Sequence, residues 1–62
     1  MTVLKFDSVV RWFRTHKHVE IPTGTVWVAG YIQSIAHEGG KDIYILWVNT
    51  AQGAKEICVK LI

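Results

Sequence analysis

The sequence predicts an α+β fold, an N-terminal helix packed on a three-stranded antiparallel β-meander, with or without a short extra N-terminal strand. Three observations carry this. Residues 25–36 (TVWVAGYIQSIA) and 43–48 (IYILWV) are rich in β-branched and aromatic side chains, and Gly39 and Gly40 lie between them. Residues 55–61 (KEICVKL) alternate polar and apolar side chains, the pattern of a half-buried strand. Upstream, Phe6, Val9, Val10 and Phe13 recur at helical spacing and form one apolar stripe.

In chain order, residues 2–6 suit a short strand or the first turn of a helix, and Asp7 or Ser8 offers an N-cap. Arg11, Arg14 and His18 fall at i, i+3 and i+7 on a second helix face, with Lys17 beside them. Cations near a helix C-terminus complement its dipole. The residue before Pro22 disfavours the α region, so the helix is expected to stop near His18. Pro22, Thr23 and Gly24 form a turn. Residues 37–42 join the first two strands, with Gly39 and Gly40 as the central pair of a type I′ turn at positive φ. Residues 49–54 are the second loop, with its turn at Gln52 and Gly53.

Those turns fix a register. Ile35 faces Tyr44, Gln33 faces Leu46 and Tyr31 faces Val48; in the next pair Val48 faces Ile57, Leu46 faces Val59 and Tyr44 faces Leu61. One sheet face then carries Trp27, Ala29, Tyr31, Ile35, Tyr44, Leu46, Val48, Ile57, Val59 and Leu61, and the helix stripe covers it as the core. The other face carries Val26, Val28, Ile32, Ile43, Ile45 and Trp47. It is too apolar to sit bare in water, so these residues are the expected interface of a homodimer or higher homo-oligomer.

Size and composition narrow the function. With 62 residues the chain has room for a single small domain, 1–62, and its 50% hydrophobic content excludes a disordered chain. A core of this size supplies roughly 3–5 kcal/mol. Cys58 is the one cysteine, which excludes an intramolecular disulfide. His16, His18, His37 and Cys58 lack the spacing of zinc ligands, so no metal and no other cofactor is expected. The N-terminus lacks a signal-peptide pattern and carries no apolar run of membrane-spanning length. A cytoplasmic protein with no membrane partner is the expectation.

No catalytic motif appears, and His37 with Glu38 at a small exposed turn has no pocket to tune it, so the chain is not expected to be an enzyme. The net charge of +2 suits phosphate contact. Arg11, Arg14, Lys17, His18, Lys41 and Lys60 are the candidate phosphate contacts, while Trp47 would stack on a base and Asn49 would meet a base edge. Trp27 and Tyr31 are assigned to the core, and Trp12 to the helix edge. The expected function is a small nucleic-acid-binding (DNA- or RNA-binding) or regulatory module. The alternative is a protein-interaction module, an adaptor or inhibitor, that binds another protein through its sheet face or edge.

Residues 26–32 (VWVAGYI), followed by Gly39, Gly40, Lys41 and residues 43–46 (IYIL), resemble the opening strands of an oligonucleotide-binding (OB) barrel. They are most similar to the anticodon-binding domain of class II aspartyl- and asparaginyl-type tRNA synthetases. In that family a V-x-V-x-G-aromatic strand leads through a glycine-containing loop to a second strand and then a third. The resemblance spans residues 26–59, about half of the chain. It implies an OB-like half-barrel as an alternative fold, and single-stranded nucleic acid bound on the sheet and its loops by strand aromatics. The family's arginine after the first strand is absent, since Ser34, Ile35, Ala36 and His37 stand there.

Overall fold

In a computed structural model that describes all residues, Met1–Ile62, six elements follow one another. They are β1 (Thr2–Leu4), α1 (Phe6–Thr15), β2 (His18–Pro22), β3 (Trp27–His37), β4 (Ile43–Thr50) and β5 (Gly53–Leu61). The five strands form one sheet in the order β1-β5-β4-β3-β2. Strands β2 to β5 are an antiparallel meander, and β1 runs parallel to β5, with Thr2 beside Val59 and Leu4 beside Leu61. The Thr2 hydroxyl donates to the Pro22 carbonyl and ties the two edge strands together, so the sheet is a nearly closed barrel. The three-stranded meander therefore understates the sheet, and the OB-like alternative fits its five strands and near closure. Its connectivity is plainer than the Greek key of an OB barrel.

The helix begins at Phe6, before the predicted caps Asp7 and Ser8. Lys5 is the capping residue and contributes no side-chain bond. Backbone serves instead: the Phe6 amide donates to the Ile62 carbonyl at 2.8 Å, and the Ile62 amide to the Leu4 carbonyl at 2.9 Å. Asp7 lies in the first turn, where its charge complements the helix dipole. At the other end His16 takes the left-handed conformation, φ 53 and ψ 47. The Lys17 amide donates to the Trp12 carbonyl at 3.0 Å and the His16 amide to that of Phe13 at 3.4 Å, the bond pair of a Schellman motif. This stops the helix short of His18. Lys17 and His18 leave it, and the predicted basic stripe is split, with only Arg11 and Arg14 left on helical turns.

The apolar stripe also differs. Val9 is fully buried and Trp12 packs on the core, whereas Phe6 and Phe13 are 42% exposed. Val9 and Trp12 are three residues apart and share one helix line, and Phe6 leans on Tyr44 with ring centroids 5.8 Å apart. Around them the core gathers Val19, Ile21, Ile32, Leu46, Val48, Ile57, Val59 and Leu61. Burying each such side chain contributes about 1.5–3 kcal/mol.

Both turns depart from the predicted form. Neither Gly39 nor Gly40 has a positive φ. The first connection is longer, closed by the Glu38 amide donating to the Ile43 carbonyl at 2.9 Å and by His37 Nε2 lying 2.8 Å from the Gly40 carbonyl oxygen. In the second, Thr50 pairs with Gly53 around Ala51 and Gln52. The Thr50 hydroxyl accepts from the Gln52 amide and donates to the Gly53 carbonyl, and Gly53 supplies φ 107. Leu46 thus faces Ile57 instead of Val59, and Tyr44 faces Val59 instead of Leu61. A shift by an even number of residues keeps every side chain on its face, so Ile57, Val59 and Leu61 point inward as predicted.

Strand β3 behaves otherwise. Ile35 faces Leu46 and Ser34 faces Trp47, but Ile32 faces Val48 and Tyr31 faces Asn49, leaving Gln33 as a bulge. One extra residue reverses the inward side on the first half of the strand. Val28 and Ile32, predicted for the outer face, enter the core, while Trp27, Ala29 and Tyr31, predicted for the core, face outward.

Candidate functional site

The bulge at Gln33 turns two aromatic side chains of β3 onto the outer face of the sheet. Trp27, 66% exposed, and Tyr31, 37% exposed, stand on the outer side of β3 with Ala29 between them. At about 3.3 Å per residue along a strand, the two rings are rooted roughly 13 Å apart. They line a shallow groove of about 850 Å³ together with His18, Asn49, Gln52 and Lys55. Its polar side chains come from β2, from the β4–β5 hairpin and from β5, so the meander gathers residues distant in sequence.

Gly30 forms part of this wall and is there for a steric reason. A Cβ at that position would come within 2.8 Å of the Asn49 carbonyl carbon and nearer still to its oxygen. Only glycine lets β3 pass this close to β4, which sets Tyr31 directly opposite Asn49. On the other side Tyr31 pairs with His18 of β2. Imidazole, phenol and amide therefore lie in one row across three strands.

The same tyrosine is held by two histidines. His16 stacks flat on its ring, with centroids 4.4 Å apart and planes 4° apart, and His18 meets it edge-on at 5.3 Å and 82°. The left-handed turn at His16 thus brings the helix end against Tyr31, and the exposed Lys17 follows it in sequence, next to the groove residue His18.

Of the residues predicted to contact nucleic acid, His18 and Asn49 meet in this groove, and Lys17 lies beside it in sequence. Arg11 and Arg14 line a separate hollow of about 490 Å³ along the helix, with Phe6, Asp7, Val10 and Thr15. Lys41 belongs to the β3–β4 connection, and Lys60 pairs with Ile43 on β5 at the far end of the sheet. Trp47 is half-buried between Ser34 and Glu56, so its ring is less available than that of Trp27. Of the predicted interface residues, Val26 is exposed and Ile43 and Trp47 are half-buried, whereas Ile32 and Ile45 are buried and Val28 packs against the core. Cys58 is exposed on the outer side of β5, next to Ile45.

Trp27, Tyr31, Gln52, Lys55 and His16 belong to this site and were missed as site residues. The available signal was Gly30 inside a strand, a mark of a bulge or a close backbone approach. None of the family models, curated proteins or solved structures compared with the chain matches it. No helix is long and apolar enough to cross a membrane.

Proposed function

We propose that this chain is a small nucleic-acid-binding module that takes single-stranded ligand in the groove of Trp27 and Tyr31. The carrying observation is the exposure of these two rings on one strand face, with the amides of Asn49 and Gln52 and the cation of Lys55 lining the same groove. Unpaired bases stack on aromatic side chains without demanding a sequence, and each such contact is worth about 1–3 kcal/mol. Lys17 and Lys55 supply phosphate contacts at the rim. Glu20, paired with Ala29 and exposed on β2, adds a negative charge on the neighbouring strand, so stacking has to carry more of the affinity than phosphate contacts.

A second reading is a protein partner docked on the same surface, favoured by Val26 at 59% exposure beside Trp27. An exposed tryptophan is also a common hot spot of protein interfaces. Titrating the protein with labelled single- and double-stranded oligonucleotides at two salt concentrations separates the readings. Saturable binding of single strands, weaker for duplex, supports the first. Absence of binding at low salt removes it and leaves the protein partner.

A further inference from the structure

We infer that the free backbone edge of β3 at Trp27 and Ala29 hydrogen-bonds the Watson–Crick edge of an unpaired base, whichever base it is, and so makes the groove selective for single strands. This deepens the single-strand reading above and rests on it. The groove is lined by residues 26–31 without a break. Successive side chains of a strand point to opposite faces, so a hollow that meets every residue in turn runs along the backbone edge as well as over one face.

The phase of the ladder shows which backbone groups face that hollow. Antiparallel pairs alternate between those that exchange hydrogen bonds and those that do not. At the β2–β3 turn the Thr23 amide donates to the Val26 carbonyl at 2.9 Å. The pairs Ile21–Val28 and Val19–Gly30 continue in that phase, so Val28 and Gly30 turn their backbone groups to β2. Trp27, Ala29 and Tyr31 turn theirs the other way, toward β4. Tyr31 meets Asn49, where the β3–β4 ladder begins, and Trp27 and Ala29 lie beyond its end. No turn, loop or side-chain hydrogen bond uses the amide or carbonyl of either residue.

Past Asn49, β4 reaches only Thr50 before the chain turns through Ala51 and Gln52 into β5. These residues form the far wall of the groove. The opening starts at Gly30, where β3 touches the Asn49 backbone. Ala29 and Trp27 are both exposed, and the small side chain of Ala29 leaves the edge accessible.

An extended residue presents its N–H and its C=O on the same side, a donor beside an acceptor. Every base carries the complementary pair on its Watson–Crick edge: N6–H and N1 in adenine, N4–H and N3 in cytosine, N1–H and O6 in guanine, N3–H and O4 in thymine. A single strand offers that edge, and a duplex has already used it. The contact therefore rejects duplex and chooses no base. It adds to stacking on Trp27, which is equally tolerant of sequence.

The test compares a thymine run with the same run built from N3-methylthymine, each titrated by fluorescence anisotropy. The methyl group removes the N3 donor and blocks the edge, while the stacking faces and the phosphates stay. The methylated run is expected to bind about tenfold more weakly, the cost of backbone groups left unpaired. A central adenine or cytosine in the thymine run should leave affinity within about threefold. Hydrogen exchange supplies a second measurement. The amides of Trp27 and Ala29 should exchange fast in the free protein, unlike those of Val28 and Gly30, and gain protection with the thymine run. Equal affinity for the methylated and plain runs overturns the inference and leaves the nucleic-acid reading in place. Slow exchange of the Ala29 amide in the free protein, no added protection in the complex, or a strong preference for one central base also overturns it. Binding of none of the runs overturns both.

Discussion

The imidazole of His16 lies flat on the ring of Tyr31, with centroids 4.4 Å apart and planes 4° apart. This contact adds to the packing of the helix on the core and depends on a left-handed residue that is not glycine. Two terms compete at the position. The left-handed region costs an L-residue about 1–2 kcal/mol, and an aromatic pair returns about 0.5–1.5 kcal/mol. His16→Gly removes both and should melt within a few degrees of wild type. His16→Val keeps the strain, worsens it by β-branching and loses the stack, so it should melt well below His16→Gly. Equal melting temperatures for the two variants would show that the left-handed turn is unimportant.

Gly30→Ala tests the close approach of β3 to β4. The added methyl meets the Asn49 backbone, which cannot swing aside as a side chain would. Overpacking of this kind costs about 1–3 kcal/mol or more. With a stability of roughly 3–5 kcal/mol expected for a domain this small, the urea midpoint should fall well below that of wild type. A variant with wild-type stability would mean that the strands do not meet as described.

Much of the second half of the fold was legible because its signal is local. The alternation through Ile57, Val59 and Leu61 survives a turn displaced by one residue, since the register moved by an even step. The helix was legible as an element but not in its ends, because Ile62 supplies its first acceptor from the far end of the sequence. Strand β2 hid behind Pro22, which ends the strand at its pairing with Trp27. Strand β1 is three residues long and earns its place only by parallel pairing with β5, a contact no short window contains. The site was the least legible part. A single bulge at Gln33 inverted Trp27 and Tyr31, so the two residues assigned to the core became exposed walls of the groove.

Self-association was expected from six outer-face residues, and with Val28 and Ile32 in the core the face offered to a second copy is smaller. On β4 the half-buried Ile43 and Trp47 remain, since Ile45 between them is itself buried. If two copies meet there, Trp47→Asp should lower the sedimenting mass and the melting temperature together. A wild type that sediments as a monomer at high micromolar concentration removes the proposal.

Lys17 and Lys55 should act as phosphate contacts and carry no base preference. Each contact removed from a single strand lowers the slope of log affinity against log salt by about 0.7. Lys17→Gln and Lys55→Gln are each expected to weaken all oligonucleotides alike and to flatten that slope. Variants that weaken one sequence and spare another would assign these lysines a different role.

The most direct measurement is the amide nuclear magnetic resonance spectrum of labelled protein during titration with a short single-stranded oligonucleotide. We expect the amides of Trp27, Ala29, Tyr31, His18, Asn49, Gln52 and Lys55 to shift progressively and saturate together. Those of Ile43, Ile45 and Lys60, at the far end of the sheet, should stay in place. Shifts confined to Phe6, Arg11 and Arg14 on the helix, or no shifts at low salt, would contradict the assignment of the groove.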